Sequence, residues 1–127
     1  MKSECASHPR LVLLGDFNIA PQDRDVYDPV GLAGQIHCTT QEREHFAQLL
    51  ALGMHDAFRL FEQAPKSWSW WDYRNLAFRK NQGLRIDHIL VTDSLKPRVV
   101  SCSIDKLTRK NERPSDHAPV WTELRVD

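Results

Sequence analysis

The segment Leu11-Val12-Leu13-Leu14, followed at once by Gly15-Asp16-Phe17-Asn18, constrains this chain more than any other. An apolar run this short, closed by glycine, has no polar side to turn toward water. It therefore predicts a strand buried on both faces and central in its sheet. The residues that follow are polar and sit at the strand's end. In an extended segment Asp16 and Asn18 are two apart and point the same way, while Phe17 packs on the opposite side. A carboxylate able to hold or activate a water then stands beside an amide able to bond a phosphate oxygen. The same residues also suit an Asx turn that merely closes the strand.

The remaining pattern supplies the other layers. Asn18 to Thr40 is rich in Asp, Pro and Gly without periodicity and is expected to be a long surface excursion. Thr39 with Glu42 makes a capping box, Phe46, Leu49 and Leu50 share one face, and Gly53 offers a left-handed stop, so a helix is predicted over about 40–52. His55 to Phe61 reads as a short second helix. Trp68, Trp70 and Trp71 lie in a β-prone stretch. Ile86, Ile89, Leu90 and Val91 form a second central strand interrupted by Asp87 and His88, and Val99 to Ile104 and Val120 to Val126 complete the strand candidates. The sum is one α/β domain on a mixed sheet.

Composition sets limits on what that domain can be. With 127 residues, 41% hydrophobic and 27% charged, the chain has the material for a single core without disulfides or a structural metal. Cys5, Cys38 and Cys102 are odd in number and widely spaced, which predicts reduced thiols in place of a disulfide framework or zinc knuckle. No apolar run approaches the roughly 20 residues that span a bilayer, and the opening residues lack the apolar stretch of a secretory signal, so a cytoplasmic location without membrane contact is expected. The formal net charge is zero, yet the charges segregate. From Lys66 to Pro114 there are 11 Lys and Arg against 5 Asp and Glu, and the reverse imbalance lies elsewhere. The basic stretch is either a phosphate-binding surface or an ordinary solvated one.

Two further motifs carry chemistry. Asp87 interrupts an apolar strand, where a carboxylate is costly unless a histidine, an arginine or a metal pairs with it. The other reading is an exposed strand edge, which the neighbouring Ile86 and Ile89 to Val91 oppose. Pro114-Ser115-Asp116-His117-Ala118-Pro119-Val120 holds two adjacent titratable groups between prolines that restrict the turn. A histidine fixed there, its tautomer set by a carboxylate such as Asp87, suits phosphate-ester chemistry. A lone histidine in such a turn is otherwise structural or exposed.

Taken in order, Gly-Asp-Phe-Asn, Trp70-Trp71-Asp72-Tyr73-Arg74, Leu84-Arg85-Ile86-Asp87 and Ser115-Asp116-His117-Ala118-Pro119-Val120 resemble the bacterial exonuclease III branch of the exonuclease, endonuclease and phosphatase superfamily. The resemblance runs from Leu11 to the last strand. It implies half of a four-layered α/β sandwich, with a mostly antiparallel mixed sheet and helices on one face, the whole of 1–127 being the carboxyl-terminal part of that domain. It implies a magnesium-dependent hydrolase, manganese being an alternative ion, that cuts duplex DNA 5′ to abasic sites and degrades it from 3′ ends. Asp16 would position or deprotonate the attacking water, and Asn18 would hold that water or the scissile phosphate. His117 would stabilise developing charge with Asp87 as its orienting partner, and Asp116 and His117 would lie at the metal. Trp70 and Leu84, with Trp71 beside them, would line the pocket for a base-less sugar, and Arg85 would contact a phosphate. Trp68 and Trp121 are expected to be ordinary core.

The departures from that family imply as much as the matches. Its core is about twice as long, and the half missing here carries an Asn, a metal-binding Glu and a catalytic Tyr. Magnesium binds through one or two carboxylates plus water and phosphate, so loss of the Glu weakens binding. A sheet without its partner layer exposes an apolar face, which predicts association with the missing half or with a second copy, or aggregation. Two other functions remain open: a catalytically silent module that binds DNA or a protein, and a phosphatase or lipid phosphodiesterase of the same superfamily.

Overall fold

The computed structural model describes residues 7–112 and 114–125; Cys5 and Val126 lie outside them. The strands are β1 (Val12–Asp16), β2 (Met54–Asp56), β3 (Trp70–Trp71), β4 (Gly83–Leu84), β5 (Asp87–Thr92), β6 (Val99–Ile104) and β7 (Val120–Leu124). One α-helix, α1 (Thr40–Ala51), and several 3-10 turns join them among the described residues. Every strand pair is antiparallel, in the orders β1-β5-β2, β3-β4 and β6-β7, so the parallel component of the expected mixed sheet is absent among the described residues.

The helix forms where local chemistry dictates. The Thr39 hydroxyl accepts from the Glu42 N–H and the Glu42 carboxylate reaches back to the Thr39 N–H, while Gly53, at φ +93°, turns the chain away at the far end. Phe46 is buried against Met54 and Leu90, with Leu13, Leu49 and Leu50 alongside. On the opposite face of the three-stranded sheet, Ile89 joins Phe58 and Cys102, flanked by Val12, Ile104 and Val120. The alternation of β5 divides its residues between these two layers: Leu90 faces α1, and Ile89 faces the β6–β7 ribbon.

Four expectations are corrected here. Among the described residues β5, not β1, is the central strand and β1 lies at an edge of its sheet, with Leu14 64% exposed. An unbroken apolar run shows no alternation, so it cannot say which of its faces a neighbouring layer covers. The predicted helix over His55 to Phe61 is instead β2 followed by a 3-10 turn at Ala57–Leu60, because pairing with β5 claims the first residues. The excursion from Asn18 to Thr40 is not confined to the surface: Ala20, Asp25, Val26 and Cys38 are buried, and the Ala20 N–H returns to the His37 carbonyl. Trp121, expected in the core, is 46% exposed, whereas Trp68 is buried as expected.

Candidate active site

Pairing of β1 with β5 sets Asp16 directly across from Asp87. Facing residues in such a pair share one side of the sheet, so both carboxylates point the same way from different strands. The third member arrives from the loop before β7. That loop is fastened to β3, with the Trp71 N–H bonded to the Asp116 carbonyl, the Ala118 N–H bonded to the Ser69 carbonyl, and a bridge between Trp70 and His117. His117 is thereby delivered to the carboxylates. Its Nδ1–H donates to Asp87 Oδ2 at 2.8 Å, and its Nε2 lies 3.6 Å from Asp16 Oδ2.

The electrostatics follow from this geometry. Asp87 is largely shielded from water, and burial raises its carboxyl above the usual range, opposed by hydrogen bonds from His117 and Ser69. The Ser69 hydroxyl oxygen also accepts the Ile86 and Asp87 N–H groups, holding the strand end in place. With Nδ1–H given to Asp87, the opposite nitrogen of the imidazole faces Asp16. Asp16 is partly open to solvent; one oxygen accepts the Asn18 N–H at 2.9 Å and the other faces His117. This is the Asx turn weighed from the sequence, and it coexists with a functional placement. Asn18 adopts φ +56°, a left-handed conformation that asparagine tolerates, so the extended geometry expected through Asn18 ends at Phe17. Its carbonyl accepts from His37 Nδ1 at 2.7 Å, and its side chain is exposed.

Asp16, Asp87 and His117 each offer a ligand atom, all within 4.8 Å of one another, and form a group able to hold a metal ion. Asp116, expected beside the metal, adjoins this group: its Oδ1 lies 3.8 Å from His117 Nε2, while its Oδ2 accepts the Trp70 indole N–H at 3.0 Å and so orients that ring.

Of the four residues assigned to substrate, two share one cavity. Trp70 and Leu84, cross-strand partners in β3 and β4, line a space of about 500 Å³ together with His37 and Tyr27. Trp71 does not line it. As the next residue along β3 it turns to the other side, is 1% exposed, and packs edge-on to Phe78. Arg85 is also corrected: at 1% exposure it cannot reach a phosphate. Its Nε donates to Asp25 at 2.7 Å, both Nη groups grip Asp56, and Nη1 also approaches His88 Nδ1. Burial drives the Asp25 carboxyl upward, but Arg85 and Arg59 outweigh it and hold the group below its usual range. A carboxylate buried at the start of the excursion, 60 residues from its partner in sequence, leaves no local signal.

Three supporting residues were not anticipated. His37 holds the Asn18 carbonyl and sets its ring 6.0 Å from that of Trp70. Ser69 orders the strand end at Asp87; its place between two tryptophans in a period-two segment was the available clue. Arg109 is buried over the rings of Phe78, Tyr73 and Trp71 at 4.9, 5.4 and 5.9 Å, and its Nη1 donates to the Ser115 carbonyl at 2.8 Å. The Ser115 hydroxyl oxygen in turn accepts the His117 N–H.

The chain is similar to known proteins over most of its length. Residues 3–117 match the model of the endonuclease/exonuclease/phosphatase family. Exodeoxyribonuclease III of Haemophilus influenzae is 38% identical over 133 residues, which cover 98% of this chain and 49% of that protein. A Neisseria 3′ phosphatase solved with a product DNA hairpin superposes with a TM-score of 0.95 at 45% identity, covering 98% of this chain and 49% of that one. An AP endonuclease from Archaeoglobus fulgidus superposes with a TM-score of 0.84 at 34% identity, covering 91% and 45%. The chain thus spans about half the length of the relatives it matches.

Proposed function

Because the chain belongs to the endonuclease/exonuclease/phosphatase family, we propose that it is the carboxyl-terminal half of a cytoplasmic DNA-repair phosphodiesterase of the exodeoxyribonuclease III type, acting at abasic sites and 3′ ends of duplex DNA. One observation carries this reading: His117 Nε2 lies 3.6 Å from Asp16 while its Nδ1–H is given to Asp87 at 2.8 Å. A phosphate oxygen beside Nε2 would meet a donor when the ring is protonated, and Asp87 stabilises that protonated form without leaving its place. Asp16, whose Oδ2 is directed at His117 Nε2, would orient or deprotonate the attacking water. Asn18 would bond the water or a phosphate oxygen through its exposed amide.

The donor set fits magnesium in part. Asp16 and Asp87 are hard oxygen ligands of the kind that ion takes, and one or two carboxylates with water and substrate phosphate complete its usual shell; the imidazole nitrogen is less suited. When bound, the ion would supply positive charge against the phosphate. A further ligand would come from the half of the domain not contained in this chain, or from a second copy seated against β1. Coverage of half the length of the relatives supports weak or absent activity for the chain alone.

The DNA-directed reading is favoured over a phosphatase acting on a small headgroup by the cavity lined by Trp70, which is bridged to His117. An indole steered by Asp116 and a leucine suit the apolar face of a sugar. The test is cleavage of duplex DNA carrying an abasic analogue or a recessed 3′ end, in magnesium, by the chain co-expressed with the amino-terminal half of the Haemophilus relative. Cutting is expected, with Asp16→Asn and His117→Ala each slowing it by at least about 100-fold, the usual cost of losing an acid or base. A wild-type rate for either variant would remove the mechanism.

A further inference from the structure

A second cavity, of about 400 Å³, opens on the far side of Tyr27 from the Trp70 pocket, and Tyr27 lines both. Its charged lining residues are Arg24, Arg59 and Lys66, with no carboxylate among them. Arg24 and Lys66 are exposed and have no acidic partner among the described residues; the Arg24 Nε–H is bonded only to the neutral Gln22 side chain at 2.6 Å. Arg59 gives one Nη to Asp25, but its Nε is buried without a hydrogen-bond partner among the described residues. The remaining walls are mostly apolar, formed by Val26, Ala64 and Pro65, and the Ala64 to Ser67 turn is braced by the Ser67 hydroxyl donating to the Ala64 carbonyl at 2.6 Å. Tyr27 itself is 41% exposed and stands between the two cavities.

A groove that pairs unmatched cations with an exposed aromatic ring has the make-up of a platform for single-stranded nucleic acid. The cations track phosphates, and the ring accepts a base without regard to its identity. We infer that the groove bounded by Tyr27, Arg24 and Lys66 is a non-catalytic subsite for an unpaired polynucleotide strand that continues from the Trp70 cavity, with a base on Tyr27 and its phosphates on Arg24 and Lys66. The nucleic-acid partner follows from the proposed phosphodiesterase reading, but occupation of the groove can be tested apart from catalysis.

The probe is a fluorescently labelled oligothymidylate titrated into the chain, with anisotropy read over a series of salt concentrations. Replacing Arg24 and Lys66 together by Ala should flatten the log–log salt dependence by roughly 1.4, about 0.7 for each phosphate contact on a single strand. Tyr27→Ala should weaken binding roughly tenfold, within the range for losing one stacked base. Lys96→Ala, at an exposed lysine that lines neither cavity, should leave oligothymidylate affinity unchanged. These side chains are exposed, and far-UV circular dichroism checks that the variants remain folded. No binding by the wild-type chain, or binding lost in Lys96→Ala and kept in the Arg24 and Lys66 double variant, overturns the subsite. Oligothymidylate binding that behaves as expected, alongside a co-expressed enzyme that never cuts DNA, would leave the groove standing and remove the catalytic reading.

Discussion

Asp87 and His88 are neighbours on β5 with opposite fates. Asp87 faces Asp16 and His117; His88 is buried on the α1 side, its ring edge-on to Phe17 and Phe46. Its Nε2–H donates to the Ile19 carbonyl at 2.7 Å and Nδ1 accepts from Arg85, so the ring is held neutral. Burial first, and then the charge of Arg85, lower its pKa to about 4. The unfolded chain binds this proton near 6.5 and the folded chain only near 4, so stability should fall as pH drops through that window. Urea unfolding compared between about pH 7.5 and about pH 4.5 should lose about 3 kcal/mol through this residue. His88→Gln should flatten the slope over that window, and an equal slope in the variant would assign the loss to other groups.

At the scale of elements, signals contained in a few consecutive residues were legible and those arising between distant segments were not. The Thr39 and Glu42 box and Gly53 fixed α1 to within a residue, since caps act through neighbours. The order of strands in the sheet was misjudged, because Leu11 to Leu14 carries no mark of which strand will flank it. Among site residues, Asp16, Asp87 and His117 could be grouped from their motifs, and the structure brings them together. Arg85 misled because a guanidinium next to a catalytic motif looks the same whether it meets a phosphate or the buried Asp25 and Asp56. The loop from Ser115 to Pro119 depends on Arg109, whose aromatic cage and bond to Ser115 fix it from behind. Arg109→Met should cost about 2 kcal/mol from the lost cation–π and hydrogen-bond contributions. Arg109→Lys should restore part of it. The His117 imidazole 15N shifts should move toward those of a ring lacking its Asp87 bond in the Met variant only. Thermal unfolding and the NMR spectrum together check this, and unchanged shifts would confine Arg109 to a stabilising role.

For the whole molecule, the exposed Leu14 on β1, at the edge of its sheet, and the match to half of each relative point the same way. An edge strand with an uncovered apolar residue is prone to pair with another chain. Sedimentation velocity of the isolated chain should show concentration-dependent association, reduced in Leu14→Glu. A chain that stays monomeric at every concentration would refute the need for a covering layer. The facing of Asp16 and Asp87 across β1 and β5 has a consequence for how such proteins can change. Sliding one strand by a single residue would swap every side chain to the reverse side, sending the carboxylate of Asp16 away from the imidazole while each amino acid kept its identity. Insertions that shift strand registry are therefore as damaging to the chemistry as substitution of the acid itself.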